Sequence, residues 1–591
     1  MQTGKRWNIA LPSPAAQALA DRLRTSPLIA QILINRGLVD ADECARFLSP
    51  SLKYLHEPSQ IPGITQAAAR IVQAIGQRQK VIIYGDYDVD GITATATLWH
   101  AIRLLGGQAE YYIPHRLDEG YGLNSEAIAQ ICADGAGLII SVDCGITALA
   151  EADLARERGV DLIITDHHEW RWSNADGLAR PVLPRAHTIV HPRLGPDGTP
   201  ATCTYPNPNL CGSGVAFKLA WAIGQAHGNA LRVSDSFRSF LIEATALAAL
   251  GTVADVVPLT GENRMLVHFG LGGLKESRLL GIRALIESAG LTGRKLDSYH
   301  VGFLLAPRLN ACGRMGHARE AVEMLTTADA ARAREIATYL EQQNRQRQEL
   351  EKQIFEQATR QVIELGMDKD DWRGIVLAAE GWHAGVIGIV ASRIVGRFNK
   401  PTIMVSLSNG HGHGSGRSIP GFHLARALSA CGEHLETHGG HEMAAGLRLQ
   451  SGKLEQFRRA FREYAAGELP PEMLTPELRI DAVAALRQIN VPLVLDLARL
   501  GPFGTANPRP LIACMNVELA AAPRRVGRSG DHLQFVVRQD GTSIKCIAFN
   551  HGHLFERLAP GARLNLAAEP TINEYNDRRD VQLEVKDVQL V

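Results

Sequence analysis

The stretch VIIYGDYDVDG sets Asp86, Asp88 and Asp90 at alternate positions behind a short apolar run. Three neighbouring carboxylates repel one another, so close packing makes sense only around positive charge. In extended chain alternate side chains share one face, and the expectation is that these three do. Two further apolar runs end alike: GLIISVDCG at Asp143, and VDLIITDHH at Asp166, His167 and His168. A fourth acid, Asp255, follows LIEATALAALGTVADVVPL. In a parallel sheet these strand ends lie on one edge, where open α/β folds bind ligands. Taken singly, an Asp after a strand is ordinarily a helix cap or a turn residue, and a buried His a satisfied core group. Acids and paired histidines at the same end of successive strands are a different matter.

The donor set is carboxylate oxygen with imidazole and no thiolate at motif spacing. It suits Mn²⁺ or Mg²⁺ better than zinc. Five or six carboxylates are too many for one ion, so two ions about 3.5–4 Å apart are expected. The chemistry implied is metal-dependent hydrolysis of a phosphoester or phosphoanhydride.

The elements that must position these residues follow from the rest of the chain. At 591 residues it divides into several domains. Residues 1–60 read as small helices. In 61–326 short strands (KVIIYGD, AEYYIP, GLIISVD, VDLIITD, HTIVHP) alternate with amphipathic helices, the signature of a parallel α/β sheet. Residues 327–365 lack Gly and Pro through DAARAREIATYLEQQNRQRQELEKQIFEQATRQVIEL and read as a spacer helix, polar on all sides. A second mixed α/β domain is expected over 366–467. After GELPPEMLTPEL, residues 468–591 read as an all-β module, with a small barrel as its form.

Lys plus Arg equals Asp plus Glu, 62 of each, which argues against a bulk polycation but not against a local basic groove. The nine cysteines are scattered and never form CxxC, the usage of a reducing compartment. MQTGKRWNIALPSP has no apolar signal stretch, and no run reaches the ~18 apolar residues of a membrane helix. The expectation is a cytoplasmic protein without a membrane segment, acting as a monomer.

In order, DYDVDG, VDCG, TDHH and GTVADVVPL resemble the motifs of the DHH phosphoesterase superfamily. By that resemblance Asp88, Asp90, Asp143, His167 and Asp255 are metal ligands, with Asp86 beside them and His168 near the scissile phosphate. Tyr84 stands where the superfamily's pyrophosphatases have a histidine ligand. HGHGSGRS (411–418) and GGHEMAAG (439–446) resemble the domain that follows DHH domains in phosphodiesterases. They imply phosphate contacts from Ser415, Arg417, Ser418 and His441.

PHRLDEGYGL, LCGSGVAFKLA, APRLNACGRMGHA and LGPFGTANPRPL extend the resemblance over nearly the whole chain. It is to the superfamily's single-stranded-DNA-specific 5′→3′ exonucleases, which act in repair and recombination and release 5′-mononucleotides. This implies a strand entering a groove between lobes, with its 5′-phosphate held by Arg116, Ser415 and Arg417. Arg308 and Arg314 hold nearby phosphates or form structural salt bridges. The terminal module becomes an OB-fold for single strands, with Arg524, Arg525 and Phe535 as candidate contacts. Single-stranded-DNA-binding protein and a RecQ-type helicase are the implied protein partners. The alternatives are a short-oligonucleotide phosphodiesterase and a non-catalytic DNA-binding relative. HPRLGPDGTPATCTYPNPNL, at 191–210, reads as a surface loop without an assigned role.

Overall fold

The computed structural model describes residues 5–116, 118–173, 179–575 and 578–591. The chain forms two compact units: Asp40–Asn344 with Ala498–Arg509, and Met1–Val39 with Arg345–Leu497 and Pro510–Val591.

The first unit is built on a parallel five-stranded sheet. Its strands are β1 (Lys80–Tyr84), β2 (Gln108–Tyr112), β3 (Leu138–Val142), β4 (Asp161–Thr165) and β5 (Thr188–Val190), in the order β2-β1-β3-β4-β5. β1, β3 and β4 are runs of Val, Ile and Leu because both their faces are covered. Val81, Ile83, Ile140 and Val142 pack on one side with the helices Ile64–Gly76, α1 (Val89–Leu104), α2 (Gly212–Gly228) and α3 (Asp235–Ala254). Ile82, Tyr84, Ile139 and Ile164 pack on the other, with helices Ser125–Ala133 and Leu149–Glu157. The strand order reverses between β1 and β3, and at such a point a crevice opens beyond the strand ends. α3 is long and apolar enough to cross a membrane, but Leu247, Ala248, Ala249 and Leu250 are buried in this unit. A helical layer containing α4 (Ala306–Met315) packs beside α1 and α3.

The long helix α5 spans Ala330–Glu364. It is not polar on all sides. Ala333, Ile336, Ala337 and Leu340 are buried at helical spacing, as are Ile354, Ala358 and Val362 further along. The small alanines and two buried polar residues, Asn344 and Arg347, mask this stripe in the sequence.

In the second unit β6 (Ile375–Glu380), β7 (Thr402–Ser408), β8 (His411–Arg417), β9 (Thr437–Gly440) and β10 (Ala444–Gln450) make a mixed sheet, ordered β9-β10-β8-β7-β6, with helix α6 (Ala384–Phe398) between β6 and β7. The terminal module contains β11 (Ile512–Leu519), β12 (Arg524–Val526), β13 (His532–Gln539), β14 (Thr542–Ala548), β15 (Arg563–Tyr575) and β16 (Arg578–Leu590). Pairing of Glu518 with Arg538, between β11 and β13, closes that sheet on itself. The N-terminal segment is not wholly helical: Arg6–Ile9 is a strand, parallel to Glu477–Ile480. The indole N–H of Trp7 donates to Asp587 at 2.6 Å, so this strand takes its conformation from a partner far along the chain.

Candidate metal centre

The three aspartates of DYDVDG do not share a face of extended chain. β1 ends at Tyr84, and the backbone turns into α1 at Asp88, the helix N-cap. One oxygen of Asp88 accepts the backbone N–H groups of Asp90 (2.9 Å) and Gly91 (3.2 Å). The cap reading of a lone Asp therefore holds for one of its oxygens. A Cβ on Gly91 would stand 2.7 Å from the backbone of Asp86, so this turn needs glycine.

Asp90, in the first turn of α1, receives the N–H groups of Gly212 (2.6 Å) and Ser213 (2.8 Å) at the start of α2. A helix N-terminus favours such an anion. Gly212 and Gly251 are empty of side chain for the carboxylates' sake. A Cβ on Gly212 would lie 2.5 Å from Asp143, and one on Gly251 would overlap Asp90 and Ser213.

Asp143 and Asp166 follow β3 and β4 at neighbouring strand ends. Asp143 has a left-handed backbone (φ 61°), a strain that aims its side chain into the crevice. Its Oδ1 is 3.1 Å from His167 Nε2, which stands 3.8 Å from Asp90 and 3.7 Å from Asp255. Three sets of donors each fall within 4.8 Å of one another: Asp143, His167 and His168; Asp90, His167 and Asp255; Asp86, Asp88 and Asp143. The structure thus brings together all seven residues read from the motifs.

This arrangement fits divalent cations. Asp86 Oδ1, Asp143 Oδ1 and His167 Nε2 are buried and make no hydrogen bond. Burial, then neighbouring carboxylates, pushes Asp86 and Asp143 well above the ordinary range and raises Asp88 in the same direction. Asp255 is pushed up to about 8 by the same two causes. Burial and the adjacent His168 lower His167 to about 4. A centre of this kind lacks positive charge, and cations placed in it would bring the four carboxyls back down and keep His167 neutral, the form that ligates.

Asp166 stands apart from the cluster and orients it. Its Oδ1 accepts from the backbone of His167 (2.7 Å) and His168 (3.0 Å) and lies 2.8 Å from His168 Nδ1. Its Oδ2 accepts the N–H of Ile146 at 2.9 Å. Burial works against ionisation of Asp166, but these donors and the histidine charges hold its carboxyl below the usual range. The hydroxyl of Tyr121 is 2.9 Å from His168 Nδ1 and donates to Asp143 O at 3.2 Å.

The 191–210 segment also has a part here. His191 Nε2 meets His168 O at 2.8 Å, and Arg193 donates to His167 O at 2.7 Å. Sequence reasoning missed Tyr121, His191, Arg193, Gly212 and Gly251. HPR directly after the fifth strand, and the glycines of CGSG and LGTVAD, were the available signals.

Tyr84 takes no place among the metal donors. Its buried hydroxyl donates to Gly122 O and accepts from Asn124, each at 3.2 Å. The guanidinium of Arg116 lies 4.9 Å from the ring of Tyr87, near enough to oppose in part the rise of Asp86. Arg314 likewise opposes the rise of the Tyr87 hydroxyl. Arg308 pairs with Glu341 at 2.8 Å and donates to Leu304 O, the kind of contact its structural alternative requires.

In the second unit, Arg417 reaches Ser415 Oγ at 3.3 Å. Gly388 of α6 makes room for both, since a Cβ there would come within 2.8 Å of Ser415 Oγ and 3.2 Å of Arg417. Ser418, expected at the phosphate, is buried and donates to Phe422 O at 2.6 Å, because the turn after β8 uses its hydroxyl. His441 is exposed in the β9–β10 hairpin, where its N–H donates to Ala444 O at 2.8 Å. Phe535 is only 3% exposed and fills the barrel interior, so it offers no face to a base. Arg524 and Arg525 are exposed on β12.

A doubly wound sheet whose strand ends gather carboxylates and imidazoles is the catalytic unit of a DHH phosphoesterase. Residues 80–250 match the DHH family N-terminal domain, 372–467 the DHHA1 domain and 480–587 the RecJ OB domain. The chain belongs to the RecJ family. It is 38% identical over 585 residues to the single-stranded-DNA-specific exonuclease RecJ of Bacillus subtilis (strain 168), covering 98% of this chain and 70% of that protein. To the Escherichia coli (strain K12) enzyme it is 34% identical, covering 95% and 96%. The crystal structure of Thermus thermophilus RecJ in complex with Mn²⁺ aligns with a TM-score of 0.82 at 30% identity. That alignment covers 100% of this chain and 80% of the crystallised one.

Proposed function

We propose that this protein is a single-stranded-DNA-specific exonuclease that proceeds 5′→3′ and releases 5′-mononucleotides. The observation that carries the reading is the convergence of Asp86, Asp88, Asp90, Asp143, His167 and Asp255, with buried donor atoms left unbonded, at the reversal point of a parallel sheet. These six residues would hold two Mn²⁺ or Mg²⁺ ions. Bound there, such ions supply activation of water and neutralisation of phosphoryl charge for an in-line displacement.

The chain's own groups do the rest. Burial works against charging His168, but the Asp166 carboxylate at Nδ1 outweighs it and raises the ring to about 9, so the imidazolium keeps a second proton on Nε2 to donate to a phosphoryl oxygen. Arg116, leaning on Tyr87, meets a phosphate beside the metal donors. Ser415 and Arg417 present a hydroxyl and a guanidinium to a phosphate of their own. Arg314 supports the charge near Tyr87. Arg524 and Arg525 give the OB module exposed cations for the strand. Single-stranded-DNA-binding protein and a RecQ-type helicase are the partners to be tested by pull-down.

The test is to present 5′-phosphorylated single-stranded DNA, the matching duplex and a two-nucleotide RNA, each with Mn²⁺ or with EDTA. Mononucleotides from the 5′ end of the single strand alone, and only with metal, are expected. Preference for the dinucleotide would favour a short-oligonucleotide phosphodiesterase. Binding without cleavage under any metal would favour a non-catalytic relative.

A further inference from the structure

Tyr299 and Phe303 are 55% and 67% exposed, and their rings stack at 4.9 Å with 28° between planes. Large aromatics left open to water as a stacked pair forgo substantial burial energy, so a ligand face is a reasonable use for them. They lie on the short helix Ser298–His300 and the π-helical turn Val301–Leu305, which runs directly into α4. Val301 and Leu305 of that turn are buried in the core, and the same register holds the two aromatics outward.

The position is tied to the metal centre from two sides. Gly302 faces α3: a Cβ there would stand 3.6 Å from Val253 Cγ1, two residues before Asp255. Further along, Asn310 of α4 accepts the N–H of Val89 at 3.1 Å, next to Asp88. Gly313 lies so close to the carbonyl of Tyr87 that a Cβ in its place would come within 2.5 Å of that oxygen. The rings therefore stand on a rigid helix anchored to the segments of Asp88 and Asp255.

Cations lie close to them along the chain. Arg294 and Lys295 are exposed just upstream. Arg509, 44% exposed, pairs with Asp297 at 2.8 Å. Aromatic faces beside a basic track are the chemistry that holds unpaired bases without sequence preference.

We propose that Tyr299 and Phe303 form a stacking platform for bases of the single strand beside the metal centre. The inference rests on the nuclease reading above. Inside a duplex each base face is covered by its neighbours, so a platform of this kind favours unpaired strand.

The test uses the full chain and 5′-phosphorylated single-stranded oligonucleotides carrying one abasic residue at successive positions, with binding followed by fluorescence anisotropy in EDTA. In the unaltered protein one or two adjacent abasic positions should weaken binding about tenfold. In the Tyr299→Ala/Phe303→Ala variant, binding of the intact strand should fall by about that factor and those positions should become silent. Tyr299→Phe with Phe303→Tyr should restore both. Circular dichroism checks that the fold is kept, as expected for exposed side chains. An unaltered protein that degrades single strands, with a double-alanine variant of the same affinity and abasic profile, would overturn the platform alone and leave the pair as a surface for a protein partner. An unaltered protein that neither binds nor degrades single strands would overturn the nuclease reading itself.

Discussion

Asp166 Oδ1 lies 2.8 Å from Nδ1 of His168, and the same oxygen receives the backbone N–H of that histidine. One carboxylate thus sets both the position and the protonation of the ring without joining the metal donors. Asp166→Asn should lower kcat by about 100-fold, the scale of one acid–base or charge-stabilising group, with little change in KM. Mn²⁺ affinity by calorimetry should be largely kept. Loss of metal binding in parallel with kcat would mean that Asp166 belongs to the cation site.

Gly212 and Gly251 leave space that Asp143 and Asp90 occupy. Gly212→Ala or Gly251→Ala should displace a carboxylate and weaken Mn²⁺ binding by at least about tenfold, as faults in the support of metal ligands do. Calorimetry at neutral pH checks this, and a circular dichroism spectrum checks that the sheet survives. An alanine variant of unchanged affinity would show that the cluster tolerates the shift.

Arg308 and Glu341 are both largely buried as an ion pair. Arg308→Ala should cost about 2 kcal/mol of stability, because it leaves a buried carboxylate without its partner. KM for single-stranded DNA should stay close to the unaltered value. A raised KM at unchanged stability would return Arg308 to the DNA-binding set.

Glu119 accepts from the His115 backbone at 2.7 Å, from Asn124 at 2.8 Å and from the Tyr112 hydroxyl. Burial acts to raise its carboxyl, but these hydrogen bonds outweigh burial and hold it below its ordinary 4.5. A depressed carboxyl stabilises the fold above the unfolded value, and that stability is lost as pH falls through the folded one. Protection against hydrogen exchange around Tyr112, His115 and Asn124, taken relative to the intrinsic rate at each pH, should therefore fall below pH about 4.5. Glu119→Gln should exchange faster at neutral pH and lose the pH dependence. A pH-dependent profile that persists in the variant would assign the effect to another group.

Much of the centre was legible because its residues sit at the ends of strands that the sequence marks plainly. VIIY, LIISV and DLIIT are β-branched runs with acids directly behind them, and a parallel sheet brings such ends to one edge. What could not be read was the turn at Asp88, since alternation suggests extended chain while capping depends on the helix that follows. The bracing of His167 and His168 by Arg193 and His191 was hidden for another reason: these contacts join segments more than twenty residues apart through backbone carbonyls, which leave no pattern. The buried stripe of α5 was obscured by alanines. Arg308 and Phe535 show the limit of residue type alone, since an ion pair with Glu341 and a place inside a barrel are settled by packing.

Ala498–Arg509 belongs to the same unit as the metal centre although it follows the whole DHHA1 domain. Thr505 O accepts the N–H of Leu259 at 2.8 Å, four residues after Asp255, and Arg264 donates to the carbonyls of Arg499 (3.1 Å) and Gly501 (2.5 Å). During synthesis, then, the segment behind Asp255 lacks these partners until some 240 further residues have emerged, counted from Arg264 to Gly501. The fold thereby works as a delay: a nascent fragment that already contains every residue of the carboxylate–imidazole cluster still wants the clasp that residues 498–509 supply.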